Sequence, residues 1–415
     1  MIIKIKNKFQ SIKYLSPIFL FSLAVFFWTL FDSILMYVVP LLMEERGLSI
    51  SVIGLVIGTS SMSGALFDFF ICKFIRNTDF RRVFLLMFFV CALYPFLLLG
   101  AETLGLFLIA MAVWGIYFDL YGFGVFNFIG RYAEKEKHAS NFGIVQMFRS
   151  LGGVLAPIIA GVLVSRSIDF KPFLLSWIFL GFGFIFFIIL LSVMEKNKIK
   201  NQVKCNKNSR RKNLSIEINL WKKLSKAMGS VLAITFFLAF VESFFWTLAP
   251  LYVAEMRVGM FGGLFLTAYV FPALFMGWFV GSLAKRFGKK RTALFGILFG
   301  CIVLSFFSFS SNIIISTVVV FLAACFLSTA LPAINAAYAD YISEAPQVDE
   351  EIEGVEDFSF NFGYIFGPIS AGILADFMGI PITFTILGLT GVLLVTVVSL
   401  IMPKEINIRV NKKEI

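Results

Sequence analysis

Twelve long apolar runs constrain this chain more than any other feature of it. A helix that crosses a bilayer needs about 20 mostly apolar residues. Runs of that kind lie near 16–42, 50–74, 83–100, 105–130, 142–165 and 173–194, and then near 229–253, 259–284, 292–311, 314–342, 358–378 and 381–402. Short segments marked by charges, Gly or Pro separate most of them. A single water-soluble core does not account for the pattern. Apolar residues are 59% and charged residues 15% of the 415, against about 45–50% and about 25% in a soluble domain. Single cores also stop growing at about 250–300 residues. The solvent is therefore lipid, and the pattern predicts an all-α membrane protein of twelve transmembrane helices.

Basic residues orient the spans. With the N-terminus inside, 31 of the 36 Lys and Arg fall in cytoplasmic tails and loops, and four (Arg46, Arg166, Lys171, Arg257) fall in outer loops. Cationic side chains resist translocation, so both termini are expected in the cytoplasm of a multi-pass inner or plasma membrane protein. Topology then explains the net charge of +11, and no nucleic-acid partner is expected. Lys4, Lys6, Lys8 and Lys13 resemble the start of a signal peptide. The run that follows continues to Met43 without a small-residue cleavage site, so it reads as a retained span. Cys72, Cys91, Cys301 and Cys325 lie in apolar runs and Cys205 in a Lys-rich segment, none with CxxC spacing. Neither a disulfide framework nor a metal or redox cofactor is expected.

Residues 195–228 form the clear linker, dividing 1–194 from 229–415. With Arg210, Arg211 and Lys212 and few apolar residues before Leu214, the linker is expected to be mobile or to lie on anionic lipid. Leu214 to Lys223 reads as an interfacial amphipathic piece. Ser343 to Asp357 holds seven acids (Glu344, Asp349, Glu350, Glu351, Glu353, Glu356, Asp357) and no base. It is expected to be a solvated loop; the functional alternative is a salt bridge to the basic loop 285–291 in one conformational state.

The two halves repeat. Asp32-Ser33 with Pro40-Leu41 recurs as Glu242-Ser243 with Pro250-Leu251, displaced by 210 residues. Gly143, Gly152, Pro157 and Gly161 recur as Gly354, Gly363, Pro368 and Gly372, displaced by 211. Six crossings restore the starting side, so the halves are parallel. Parallel halves about an axis along the membrane normal, with a site at the midplane, are a transporter plan.

Over about 16–402 the chain resembles the major facilitator superfamily. The family signature is a Gly-x-x-x-Asp-[Arg/Lys]-x-Gly-[Arg/Lys]-[Arg/Lys] loop between the second and third helices of each half. The second half has Gly281, Lys285, Arg286, Gly288, Lys289 and Lys290 at the matching places, with Lys285 where the acid belongs. The first half keeps Arg76, Arg81 and Arg82 and has Asp79 where the second Gly would be; Asp68, four residues after Gly64, is the candidate acid. The resemblance implies that these residues gate the inner side. It also implies two pseudo-symmetric six-helix bundles, and helices 5 and 11 resemble the glycine-rich antiporter motif. Gly152, Gly153, Pro157, Gly363, Gly367 and Pro368 are then candidates for packing and rocking between the halves. The Arg of the family's drug antiporters in helix 4 is missing: Phe118 stands in its place, with Asp119 beside it.

An ionised side chain at the bilayer centre costs at least about 2.5–3.5 kcal/mol, so such residues are functional candidates by default. Four lie well inside spans: Asp32, Asp119, Arg149 and Glu242. Asp32 and Glu242 are repeat-equivalent and are expected to face each other and to bind a proton or a cationic solute. Against this stands a purely structural reading, in which Asp119 and Arg149 form an ion pair and the other two acids are merely hydrogen-bonded. Trp28, Tyr37, Tyr121 and Trp246 stand near these acids, but with 53 Phe in the chain aromatic neighbours are unremarkable.

The expected activity is secondary active transport of a small solute, coupled to protons or another ion. Export of an amphipathic or cationic compound is favoured over nutrient or metabolite uptake. The protein is expected to be a monomer in the lipid bilayer. No Gly-x-x-x-x-Gly-Lys-[Ser/Thr] loop supports ATP-driven transport. An enzyme is disfavoured, since Tyr117-Phe118-Asp119 lacks the Gly-x-Gly-Asp partner of an aspartyl intramembrane protease and His138 is the single histidine. A channel is disfavoured because a two-fold repeat offers no ring of filter carbonyls.

Overall fold

The computed structural model describes residues 16–75, 78–132, 138–164, 168–196, 214–309, 311–345 and 348–402. Among these residues twelve helical spans are long and apolar enough to cross a membrane. They are α1 (Pro17–Glu45), α2 (Ile50–Ile75), α3 (Phe80–Leu99), α4 (Leu104–Tyr132), α5 (His138–Val164) and α6 (Lys171–Lys196). The second set is α7 (Leu214–Glu255), α8a (Gly262–Val270) with α8b (Ala273–Phe287), α9 (Lys289–Leu304), α10 (Ile313–Glu344), α11 (Asp349–Met378) and α12 (Ile380–Ile401). The eighth span is interrupted at Phe271-Pro272, where proline has no N–H to continue the ladder.

Local chemistry sets the helix ends. Ser16 caps α1 by accepting from the Phe19 N–H at 3.3 Å, with Pro17 in the first turn. Asp79 and Asn312 cap α3 and α10 in the same way. Gly288 (φ +88°) and Gly379 (φ +78°) each join two helices with no loop between them, a turn that needs a left-handed residue. Before α6, the Lys171 ammonium and amide N–H both bond Asp169 and hold its carboxyl below the usual range.

Two polar segments differ from the sequence expectation. Residues 349–357 are the first turns of α11 rather than a solvated loop. Acids there complement the partial positive charge of a helix N-terminus, and Glu351 and Ile352 are buried. On the same side, α7 begins at Leu214, well before residue 229. Leu220, Leu224 and Met228 are buried, and Trp221 packs on Gly354 and Phe358 of α11. Residues 197–213, including Cys205, Arg210, Arg211 and Lys212, lie outside the described residues.

α1–α6 and α7–α12 form two bundles. α1 and α7 are the innermost helices, each 72% buried over its most apolar stretch, whereas α6 is 28% buried and turns Ile178, Phe182, Phe184, Ile185 and Ile188 outward to lipid. Burial between helices has no hydrophobic drive in lipid, so close packing of small residues carries it. Gly152 of α5 lies against Thr29 and the Phe26 carbonyl of α1. Its repeat partner Gly363, with Gly367, lies against α7 at Phe236, Ala239, Phe240 and Ser243.

Besides the central α1 and α7, the halves meet through two pseudo-symmetric contacts, α2 with α11 and α5 with α8a. The Pro368 carbonyl faces Gly54, and the Pro157 carbonyl faces Gly263, so close that a Cβ on either glycine would overlap it. Thr267 donates to the Val154 carbonyl at 3.0 Å, and Gly153 stands against Val270. Both contacts lie at the end of the molecule remote from the chain termini.

Candidate functional site

Between the halves, α1 and α7 bring the repeat-equivalent acids to the centre. Asp32 is buried, and its Oδ1 accepts two hydrogen bonds from α4, from Trp114 Nε1 at 2.9 Å and from the Tyr117 hydroxyl at 2.7 Å. The Tyr364 hydroxyl of α11 interacts with the Glu242 carboxyl. Each acid is therefore approached by aromatic side chains of its own half that carry a hydroxyl or an indole N–H.

Arg149 of α5 completes the cluster. Its guanidinium lies over Phe118 and Tyr121, 5.5 and 5.6 Å from the ring centroids, and Tyr121 stacks on Trp28 at 4.0 Å. Arg149 interacts electrostatically with Glu242 and Tyr364 from the opposite half and with Asp32 from its own. The Asp119–Arg149 ion pair of the purely structural reading does not form. Asp119 packs instead against Gly64 of α2, on which a Cβ would lie 2.5 Å from its Oδ2. The reason is rotational: Phe118 and Tyr121 share the α4 face that meets Arg149, and Asp119 points about a third of a turn away towards α2.

Beside this cluster a small cavity spans the two halves. It is lined from one half by Met36, Val39, Ser60, Tyr94 and Trp114, among others, and from the other by Ser243, Trp246 and Tyr364. Among the described residues no ionised side chain lines it; its polar groups are hydroxyls and indoles. The Asp32 and Glu242 partners Trp114 and Tyr364 form part of its wall, so a solute there would touch groups that approach both acids.

The remaining sequence candidates lie elsewhere. Lys289 donates to Asp340 Oδ1 at 2.5 Å and to the Ala336 carbonyl at 3.1 Å. Lys290 donates to the Tyr341 hydroxyl at 2.8 Å. The basic turn is thus tied to α10 of its own half, at Ala336, Asp340 and Tyr341. Lys285, Arg286 and Gly288 are exposed, and among the described residues no side chain approaches Gly281. In the first half Asp79 caps α3, accepts from the Tyr132 hydroxyl at 3.2 Å and sits 3.7 Å from Arg81. The Asp68 side chain and Arg76 lie outside the described residues. Sequence reasoning passed over Trp114, Tyr364 and Asp340. The available signal for the first two was an aromatic side chain with a polar tip deep inside a span, where Phe would be the unremarkable choice.

No curated protein sequence matches the chain. A family model described as the Major Facilitator Superfamily matches residues 21–348 and again 231–414. Among solved structures, the nucleoside transporter NupG is similar over 94% of this chain and 100% of its own, with a TM-score of 0.73 at 12% identity. A bacterial homologue of the iron transporter ferroportin in an inward-facing state is similar over 93% and 99%, with a TM-score of 0.69 at 16% identity. A bacterial homologue of the lysosomal transporter Spinster, inward-facing and unoccupied, is similar over 92% and 93%, with a TM-score of 0.64 at 13% identity. At these identities the likeness is one of fold.

Proposed function

Because the chain belongs to the major facilitator superfamily, we propose that it is a secondary active transporter whose proton coupling runs through Glu242 and Asp32. The solute moves through the cavity between the halves by alternating access. One observation carries this reading: repeat-equivalent acids on opposite halves both interact with a single arginine, Arg149. Rocking one half against the other changes the Arg149–Glu242 separation and leaves Arg149–Asp32 nearly fixed. The proton affinity of Glu242 then differs between the two states, which is what a gradient needs in order to do work.

The solute class follows from the cavity wall. Serine hydroxyls, tyrosine hydroxyls and tryptophan rings suit an uncharged, ring-bearing polar molecule that stacks and hydrogen-bonds. Nucleosides are of this chemistry, and a nucleoside transporter shares the fold. Export of an amphipathic cation is the second reading, favoured by two acids against one arginine in the central cluster. In reconstituted proteoliposomes, radiolabelled uridine and tetraphenylphosphonium should separate the two. Gradient-driven accumulation of uridine supports the first reading, and that of the cation the second. Accumulation of neither, with the gradient imposed in either direction, would remove the proton-coupled proposal.

The excess of basic residues on one side supports cytoplasmic chain termini; the end where the halves meet then faces outward, and this conformation is closed to the outside. In inside-out vesicles of intact orientation, an impermeant maleimide should label Cys205 rapidly, and in whole cells it should not. Rapid labelling in whole cells would invert the assignment. The basic turn Lys285–Lys290, with Asp68 in the other half, is proposed as the inner gate, bound to α10 while that side is open.

A further inference from the structure

The outer contact contains a charged group that the transport reading does not use. The first N–H groups of a helix have no partner within it. In α2 the ladder begins with the Ile53 N–H donating to the Ser49 carbonyl at 2.9 Å, and the Ser49 side chain accepts from the orphan Val52 N–H at 3.4 Å. The orphan N–H groups of Ile50 and Ser51 are taken by Asp376, near the end of α11 in the opposite half. Asp376 Oδ1 accepts from the Ile50 N–H at 3.2 Å, and Oδ2 from the Ser51 N–H at 2.8 Å and from the Ser51 hydroxyl. The Ser51 hydroxyl also approaches the Gly372 carbonyl, at 3.4 Å. A carboxylate at a helix N-terminus is favourable twice, through charge-assisted hydrogen bonds and through the aligned peptide dipoles.

We propose that Asp376 is the latch of the outer gate, a carboxylate in one half that caps α2 of the other and sets how long this end stays closed. The inference rests on the alternating-access reading. The companion contact between α5 and α8a has a neutral bond, from Thr267 to the Val154 carbonyl, so the charge-assisted closure belongs to the α2–α11 side. Opening the outer end requires Asp376 to leave α2 and return its donors to water, whereas the packing of each bundle is unaffected.

The test reads conformation, with no solute and no gradient, so its outcome is separate from that of the flux assay. Spin labels at Glu45→Cys and Met378→Cys, at the outer ends of α1 and α11, report the separation of the halves in lipid nanodiscs. The background has the native cysteines replaced by Ser. Asp376→Ala and Asp376→Asn should raise the long-distance population about fivefold or more, and Ser51→Ala less, because two backbone donors remain. Thermal unfolding of each variant checks folding, and Asp376→Asn, being isosteric, decides if Asp376→Ala unfolds. A distance distribution in Asp376→Asn identical to that of the unmodified latch would overturn the proposal.

Discussion

Replacing Glu242 with Gln should abolish pH-gradient-driven accumulation while solute still exchanges down its own gradient. The amide keeps an acceptor for the Tyr364 hydroxyl, so the local fold is preserved, and removes only the titrating charge. Glu242 belongs to α7 and Arg149 to α5, so their separation is what rocking alters. Loss of that charge uncouples the proton without blocking the path. The accumulation ratio should fall by about tenfold or more, equivalent to about 1.4 kcal/mol of lost coupling. Exchange should stay within about threefold of the parent on the same scale. Asp32→Asn should also lower accumulation, since the amide oxygen still accepts from Trp114 and Tyr117 while its charge near Arg149 is gone. Its effect is expected to be the smaller one, because Asp32 and Arg149 travel together. Full gradient-driven accumulation in both variants would show that these acids do not couple the proton; the family and the path would stand, and facilitated diffusion or another ion would replace it.

The second large effect is steric. Gly54→Val and Gly263→Val should each stop transport by holding the outer end open. At Gly54 a Cβ would overlap the Pro368 carbonyl, and at Gly263 the Pro157 carbonyl. Backbone atoms at a helix crossing have no rotamer to escape into, so the two helices must separate. Overpacking of this kind costs about 1–3 kcal/mol, and here the cost falls only on the closed-outside state, where the contact exists. The equilibrium should shift about five- to a hundredfold towards outward-open, with flux reduced correspondingly and the protein still inserted. Gly181→Val in α6 is the control, since a Cβ there meets nothing within 4 Å. If both variants transport at the rate of the control, these crossings do not close the outer gate.

The sequence by itself determined the features that depend on one residue's exchange between water and lipid. Run length gave the spans, the Lys and Arg imbalance gave an orientation to test, and the 210–211 displacement revealed two parallel halves. Each is additive along the chain and needs no knowledge of partners. The repeat also singled out Asp32 with Glu242, and Pro157 with Pro368, because spacing survives divergence. Even the misreading of 349–357 has this local character: acids suit water, but they equally suit the start of a helix.

Partnership was decided only by tertiary structure. Asp119 and Phe118 are neighbours in sequence, yet helix rotation sends one to Gly64 and the other to Arg149. Asp32 and Glu242 are equivalent in the repeat, yet one takes its aromatic partners from α4 and the other from α11, and Arg149 breaks the symmetry by belonging to one half. Asp376 lies 325 residues from the Ser51 amide it caps. Which side chains meet depends on the crossing angle and rotation of packed helices, set by where glycines let backbones touch, and no single segment contains that information.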